Sequence, residues 1–192
     1  MISTSAVDAY IEKNTRRFID ELKELCSFPS ISNHGRDAIQ PARDWLAARM
    51  TKFTDRVETL EAGGMPALYA EVKGAGRRKL LLYQHYDVQP VDPIELWHSQ
   101  PFEPAEKDGR IIARGVADDK SDVMARIHAL ETLKSLGDVP VTLRFLIEGE
   151  KSAEVPLQLL SQSVVKVLLL TAPFKVLHLV MEPGFDAHHE VR

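Results

Sequence analysis

The sequence has 192 residues, of which 44% are hydrophobic and 27% are charged, and its formal net charge is −4. These values are ordinary for a globular chain of one domain, or of one domain and part of another. The negative net charge argues against nucleic-acid binding as the main function. The single cysteine, Cys26, excludes both an intrachain disulfide and a cysteine-based zinc site.

The compartment is inferred from what the sequence lacks. Residues 1–10 contain no basic segment followed by an apolar core, so we expect no signal peptide. The longest apolar stretch, residues 164–170, is far shorter than the roughly 20 residues that a membrane helix needs. Cys26 lies in an apolar, helix-like stretch, where we expect it to pack rather than react. We therefore predict a cytoplasmic protein with neither a membrane partner nor a nucleic-acid partner.

The first half of the chain alternates between helical and extended patterns. Helices are predicted for residues 5–28 and 39–53, where apolar side chains recur at helical spacing. Short strands are predicted for residues 57–60 and 68–72, on either side of a glycine-rich turn. A third strand is predicted for residues 79–83.

The second half continues this alternation. An irregular loop of residues 92–106 leads into a predicted hairpin turn at residues 107–110. A helix is predicted for residues 118–136, where Gly137 ends it, and a buried strand for residues 141–147. Strands that alternate with helices predict an α/β fold with a mostly parallel sheet.

A histidine and an aspartate follow the third predicted strand. The apolar residues 80–82 lead to His85 and Asp87, and Pro90 ends the segment. Because side chains at positions i and i+2 of a strand point to the same side, His85 and Asp87 leave the sheet together. Ligands and metals usually bind at the carboxyl ends of strands in open α/β sheets. The pair therefore predicts a metal ligand and a carboxylate that orients it.

Two acidic clusters complete the candidate site. Asp118 and Asp119 lie at the predicted start of a helix, where free N–H groups and the helix dipole favour carboxylates. Glu148 and Glu150 follow the last buried strand. Each cluster alone has an ordinary explanation: a hydrogen-bonded His–Asp pair, a helix N-cap or a solvated strand end. Together with His85 they bring imidazole and carboxylates to three segments that can converge, which fits a zinc site.

Four motifs in this part of the chain are similar to those of a known family. They are Y-x-H-Y-D-V-Q-P at 83–90, W-x-x-x-P-F-E-P at 97–104, D-G-x-x-x-x-R-G-x-x-D-D-K at 108–120 and F-x-x-E-G-E at 145–150. In order and spacing they resemble the zinc-dependent metallopeptidases that include carnosine-type dipeptidases, acetylornithine deacetylase, succinyl-diaminopimelate desuccinylase and glutamate carboxypeptidase. The dipeptidase branch is the most similar, and the resemblance runs from about residue 11 to residue 150.

The resemblance implies a fold, an activity, a cofactor and partners. The fold would be the three-layer α/β/α catalytic domain of that family. The activity would be cleavage of the amide bond of a small peptide or an N-acyl amino acid through a zinc-bound water. The intact family uses two zinc ions, with other divalent metals as alternatives, and it forms homodimers through a lid domain.

The resemblance also implies roles for individual residues. His85 would bind one zinc ion, and Asp87 would hydrogen-bond His85 and fix its tautomer. Asp118 would bridge two zinc ions. Five further motif residues are expected to support or cap the site rather than bind metal: Trp97, Pro101, Phe102, Asp119 and Lys120.

The pattern breaks directly after Glu150. The family continues with glutamates, of which the penultimate is the general base and the last is a zinc ligand. Lys151 and Ser152 stand at those positions. A lysine ammonium repels zinc and cannot accept a proton. Glu150 or Glu154 would be only a weak substitute for the missing base.

The resemblance divides the chain into three parts. Residues 1–150 would form the N-terminal half of the catalytic domain, and residues 151–174 would be a diverged or frameshifted segment. Residues 175–192 would add a possible further strand, in which Glu182 is a candidate zinc ligand or else a solvated strand end. The lid and dimerisation domain is expected to be absent.

Two alternatives to a metal-dependent hydrolase stay open at this point. One is a truncated, inactive fragment or pseudoenzyme with at most weak metal binding. The other is a simple α/β binding module, which would require the three acid-bearing segments to lie more than about 10 Å apart, beyond the reach of a two-metal site.

Overall fold

The computed structural model describes residues 2–61 and 64–151. Three α-helices occur there: α1 (Thr4–Ser27), α2 (Arg36–Met50) and α3 (Ser121–Leu136). The strands there are β1 (Arg56–Leu60), β2 (Ala67–Val72), β3 (Lys79–His85), β4 (Ala105–Lys107), β5 (Arg110–Ile112) and β6 (Thr142–Glu148). The predicted segments 151–174 and 175–192 lie outside the described residues, apart from Lys151. No helix in the described part is long and apolar enough to cross a membrane.

Four strands form a mixed sheet in the order β1-β2-β6-β3. The β1–β2 and β2–β6 pairs are antiparallel, and the β6–β3 pair is parallel. The α/β class is confirmed, whereas the expectation of a mostly parallel sheet is wrong for these strands. The physical reason is the connections. Only residues 61–66 separate β1 from β2, too few for the crossover that a parallel pair needs, whereas β3 reaches β6 by a crossover that includes α3.

The main hydrophobic core lies between one face of this sheet and the three helices. Alternating side chains of the strands supply the sheet half of the core: Leu68, Ala70, Val72, Leu80, Leu82, Leu143, Phe145 and Ile147. Helical side chains such as Leu46 and Ile127 pack against them. Cys26 is buried, and burial raises the pKa of its thiol to about 11, which agrees with the predicted packing role. The opposite face carries a smaller apolar cluster around Ala67 and Leu146.

A buried ionic network joins the three helices. The carboxylate of Glu131 on α3 accepts hydrogen bonds from Arg17 on α1 and Arg49 on α2. The hydroxyl of Tyr10 donates to the same carboxylate at 3.0 Å. Glu131 is only 4% exposed. Since a buried carboxylate is costly unless it is fully paired, this network ties the helix packing to the charge of one residue.

The predicted hairpin turn is confirmed by the antiparallel pair β4–β5. Asp108 and Gly109 form its tip with positive φ angles of 51° and 74°. The hairpin is attached to α1, because Glu106 accepts hydrogen bonds from Arg16 at 2.8 Å and from Lys23 at 2.8 Å. This contact holds the segment that leads into the Asp118 turn.

Candidate functional site

The three acid-bearing segments converge at the carboxyl ends of the parallel strands β3 and β6. His85, the last residue of β3, lies directly opposite Glu148, the last residue of β6. Asp118 lies on the turn before α3, and its Oδ1 is 3.0 Å from Nε2 of His85. A simple binding module would require these segments to diverge, so the observed geometry argues against that alternative.

Asp87 is a buried anchor for the histidine. Its Oδ1 lies 3.0 Å from Nδ1 of His85, the contact expected from the sequence. The same oxygen accepts the backbone N–H of Lys151 at 2.9 Å, and Oδ2 accepts the hydroxyl of Ser32 at 2.8 Å. Asp87 is only 2% exposed. With Nδ1 donating to Asp87, Nε2 is the ring nitrogen that faces Asp118.

An irregular turn, Val116–Lys120, places Asp118. It begins at Gly115, whose φ of +80° is left-handed and whose absent Cβ would lie 2.4 Å from Cγ1 of Val88. Asp118 itself has an extended backbone with φ −138° and ψ 95°, and its peptide bond to Asp119 is cis. The predicted helix over residues 118–136 is therefore wrong at its first turn, because α3 begins only at Ser121.

His85 and Asp118 each stabilise the charged form of the other. Burial alone would lower the pKa of His85, but hydrogen bonds to Asp118 and Asp87 outweigh it and raise the pKa to about 9. The hydrogen bond from His85 is the main reason that the pKa of Asp118 lies well below its usual range, and Lys151 lowers it further. In this state the imidazole is a cation between two carboxylates.

Asp119 and Lys120 bond backbone groups around the site. The carboxylate of Asp119 accepts the backbone N–H of His85 at 3.3 Å, and burial raises the pKa of Asp119 to about 6. Lys120 is fully buried and donates to the carbonyl oxygens of Leu25 and Phe28 at 3.0 and 2.8 Å. Both contacts agree with the supporting roles expected from the motif.

The end of β6 brings one glutamate into the site and leaves the other outside. Glu148 is 2% exposed and accepts the hydroxyl of Tyr83 at 2.5 Å, so it is not a solvated strand end. Its Oε1 is buried and has no hydrogen-bond partner among the described residues. Burial raises the pKa of Glu148. Glu150 is exposed and, within residues 2–61 and 64–151, makes no hydrogen bond to His85 or Asp118.

The ammonium of Lys151 contacts the carboxylate of Asp118. Its Nζ lies 3.1 Å from Oδ1 and 3.0 Å from Oδ2 of Asp118. The ammonium is thus a stand-in cation at the carboxylate that the sequence predicts to bind metal. Ser152, Glu154 and Glu182 lie outside the described residues.

The loop before β4 supports the site from a distance. Nε1 of Trp97 donates to the carbonyl of Val91 at 2.9 Å, and the guanidinium of Arg114 stacks over the Trp97 ring at 4.9 Å. The backbone of Arg114 donates to the carbonyl of Pro101 at 2.7 Å. Phe102 is half-buried in the same loop. These contacts give the loop residues the structural role that the sequence predicts.

Two residues of the site were missed from the sequence. Ser32 bonds Asp87 and Tyr83 bonds Glu148, each across more than fifty positions of chain. Tyr83 belongs to the strand motif and lies two residues before His85, so strand alternation places both side chains on the same face and could have predicted that Tyr83 lies at the site. Ser32 carries no such signal, because its position depends on how the segment after α1 packs beside Val88.

The donors present fit a divalent cation but do not complete a metal centre. An oriented imidazole and a carboxylate that already binds an ammonium are the donor types that zinc prefers. Within the described residues, however, no group of three or more His, Cys, Asp or Glu side chains is arranged to hold a metal ion. A catalytic zinc site normally has three protein ligands, so at least one further donor is needed beside His85 and Asp118.

Comparison with known proteins identifies the family. The sequence profile described as "Peptidase family M20/M25/M40" matches residues 81–184, more than half of the chain. The chain belongs to this M20 peptidase family. The matched range includes all four predicted site residues His85, Asp87, Asp118 and Glu182. It also includes the segment 151–174 of this M20 chain, beyond the point where the motif resemblance ends.

Curated relatives agree with this assignment. Beta-Ala-His dipeptidase of Mus musculus is 31% identical in an alignment of 168 positions that covers 75% of this chain and 33% of that relative. Succinyl-diaminopimelate desuccinylase of Bordetella pertussis is 35% identical over 134 residues, 69% of this chain and 34% of that relative. The M20 chain thus spans about a third of the length of these relatives. The similarities do not favour the alternative of a truncated, inactive fragment.

Solved structures share the fold. Human carnosine dipeptidase 1 superposes with a TM-score of 0.72 at 27% identity, over 81% of this chain and 37% of that one. An M20 family metallo-carboxypeptidase from Sulfolobus solfataricus gives a TM-score of 0.66 at 36% identity, over 70% of this chain and 31% of that one. The expected α/β catalytic fold is therefore confirmed for the part of it that this chain covers.

Proposed function

We propose that the chain carries the metal-binding part of a dipeptidase-like M20 hydrolase that cleaves the amide bond of a small peptide or an N-acyl amino acid. The observation that carries the proposal is the convergence of His85, Asp87 and Asp118 at one strand end, with His85 oriented by Asp87 and facing Asp118 at 3.0 Å. Membership of the M20 family and the similarity to a dipeptidase and a desuccinylase support it.

His85 and Asp118 would hold a divalent metal, for which we propose zinc, and Glu182 is proposed as a further ligand. When bound, the metal would supply a Lewis acid that polarises the amide carbonyl and makes water a stronger acid. Asp87 holds the proton of His85 on Nδ1, which leaves Nε2 free to bind. Both carboxylate oxygens of Asp118 are accessible to a cation, since the Lys151 ammonium contacts each of them, which would suit a bridging role between two metal ions.

The proton-transfer residue is not assigned among the described residues. A general base must accept the proton of the attacking water and pass it to the leaving amine. Lys151 stands at the position of the base in the motif, and its ammonium is bound to Asp118. Glu150 is the weak substitute named from the sequence, and its carboxylate lies near Gly64. The homodimer and the cytoplasmic location stay predictions.

A metal-and-turnover experiment tests the proposal. The purified chain is loaded with zinc, and bound metal and hydrolysis of β-alanyl-histidine and N-succinyl-diaminopimelate are measured together. We expect turnover that a chelator removes and added zinc restores. Asp118→Ala is expected to lose both the metal and the turnover. The matched control is Asp138→Ala, which removes an exposed carboxylate before β6 and should change neither.

Two results would contradict these expectations. If the chain takes up no zinc at saturating concentration and hydrolyses neither substrate, the proposed function is wrong for this chain. If zinc binds equally well in Asp118→Ala, the assignment of the site is wrong even where turnover is observed.

A further inference from the structure

Lys151 is attached to both carboxylates of the site. Its backbone N–H donates to Oδ1 of Asp87 at 2.9 Å, which fixes where its side chain begins. Its Nζ then reaches both oxygens of Asp118, at 3.0 and 3.1 Å. No other lysine or arginine in the described residues forms an ion pair with Asp118. Lys151 is therefore fixed at both ends, because its backbone N–H binds Asp87 and its ammonium binds Asp118.

This contact uses the oxygens that a metal ion would need. Oδ1 of Asp118 already lies 3.0 Å from Nε2 of His85, and Lys151 covers both Oδ1 and Oδ2. Two cations at contact distance from one carboxylate repel each other, and the repulsion is stronger for a divalent ion than for a monovalent one. Binding of the ammonium and binding of a metal at Asp118 are therefore competing events.

The exposure of the side chain makes the competition reversible. The side chain of Lys151 is 51% exposed and that of Asp118 is 60% exposed. A lysine with this exposure can rotate into solvent without unpacking the core, and an exposed ion pair is individually weak. A metal ion can thus displace the ammonium, at a cost in affinity.

We propose that Lys151 is an internal cation that competes with a divalent metal for Asp118, so that the metal binds only by displacing the Lys151 side chain. The inference rests on the proposed metal-binding role of Asp118. It adds a determinant of metal affinity that belongs to this chain, because the position holds an ammonium instead of a carboxylate.

Zinc affinity, measured by competition with a chromophoric chelator, tests the inference without any substrate. Lys151→Gln removes the charge and is expected to bind zinc about fivefold more tightly, equivalent to about 1 kcal/mol, the upper limit for an exposed ion pair. Lys151→Glu replaces the ammonium with a carboxylate and should bind zinc more tightly still, because a negative charge beside Asp118 attracts the cation. Lys151→Arg keeps the charge and should stay near the wild-type affinity. Lys13→Gln removes an exposed charge from α1 and should change the affinity less than about twofold.

The site dependence is checked by combining Lys151→Gln with Asp118→Ala, which should abolish the gain. Circular dichroism verifies that each variant is folded. Unchanged or weaker zinc binding in Lys151→Gln overturns the inference, and so does equal tightening in Lys13→Gln.

The result separates this inference from the proposed function. Zinc-dependent turnover with an affinity that does not respond to Lys151→Gln leaves the function standing and refutes the competition. Tightened zinc binding in Lys151→Gln without turnover in any form supports the competition and refutes the function. Failure of every form to bind zinc refutes both.

Discussion

Ser32 is expected to control the site through Asp87, and Ser32→Ala tests this. The hydroxyl of Ser32 donates to Oδ2 of Asp87 at 2.8 Å, and the two residues are 8% and 2% exposed. Removing the hydroxyl leaves one oxygen of a buried carboxylate without its partner. A hydrogen bond to a charged group contributes about 1.5–3 kcal/mol to stability. We therefore expect the free energy of unfolding to fall by about 2 kcal/mol.

The effect on the site should be separable from the effect on stability. Asp87 orients His85, and loss of such an outer partner of a metal ligand typically weakens metal binding about 10–100-fold. Ser32 acts one step further out, so we expect about a tenfold loss of zinc affinity in Ser32→Ala, the low end of that range. Ser32→Thr keeps the hydroxyl and should retain the wild-type affinity, although its added methyl group can lower stability.

Ser30 provides the matched control. It is fully buried in the same segment, and its hydroxyl donates to the backbone carbonyl of Tyr86 at 2.7 Å. Ser30→Ala should lower the free energy of unfolding by about 1 kcal/mol, the usual contribution of a neutral hydrogen bond, without changing zinc affinity. Urea unfolding and zinc titration of the variants give both quantities. Equal losses of zinc affinity in Ser30→Ala and Ser32→Ala would refute the reasoning.

Two further predictions concern the scaffold. Hydrogen bonds from Arg17 and Arg49 outweigh the effect of burial and lower the pKa of Glu131 to about 2. The ionised Glu131 therefore stabilises the fold fully above about pH 4.5, and this contribution is lost as the pH falls toward 2. Urea unfolding should show the advantage of wild type over Glu131→Gln shrinking by about 3 kcal/mol over this range. A difference that stays constant with pH would contradict this. Gly115→Ala should lower the free energy of unfolding, measured by thermal unfolding, by at least about 2 kcal/mol. The added Cβ would be strained by the left-handed backbone and would clash with Val88. Gly109→Ala, equally left-handed but with open space around it, should cost only about 1 kcal/mol, and equal costs would contradict the clash.

The parts of the site that the sequence predicted are those encoded within one segment. His85 and Asp87 share a strand face, and alternation along a strand is a local property. Their contact at 3.0 Å follows from two residues of spacing. Asp118 was placed near them by the motif order, but its extended backbone inside a predicted helix was not visible, because helix periodicity does not report the dihedral angles of one residue.

The parts that could not be predicted depend on pairing between distant segments. The alternation of helices and strands predicted the α/β class. The antiparallel pairing of β6 with β2 depends on how all the strands of the sheet are ordered, which no single segment determines. The bond between Ser32 and Asp87 depends on the segment after α1 meeting the end of β3. The pairing of Glu148 with Tyr83 likewise depends on the parallel register of β6 with β3, which no local pattern contains.

The anchoring of residue 151 explains why a single side chain can decide the chemistry of this site. Asp87 binds the backbone N–H at this position, and a backbone N–H is present whichever non-proline residue stands there. The start of the side chain is therefore fixed independently of its charge. A carboxylate at this position, where the motif has its general base, would add a negative charge beside Asp118, whereas Lys151 brings its own cation to Asp118. Since the largest local charge sets the electrostatics of a metal site, we expect residue 151 to determine how strongly His85 and Asp118 would hold a metal.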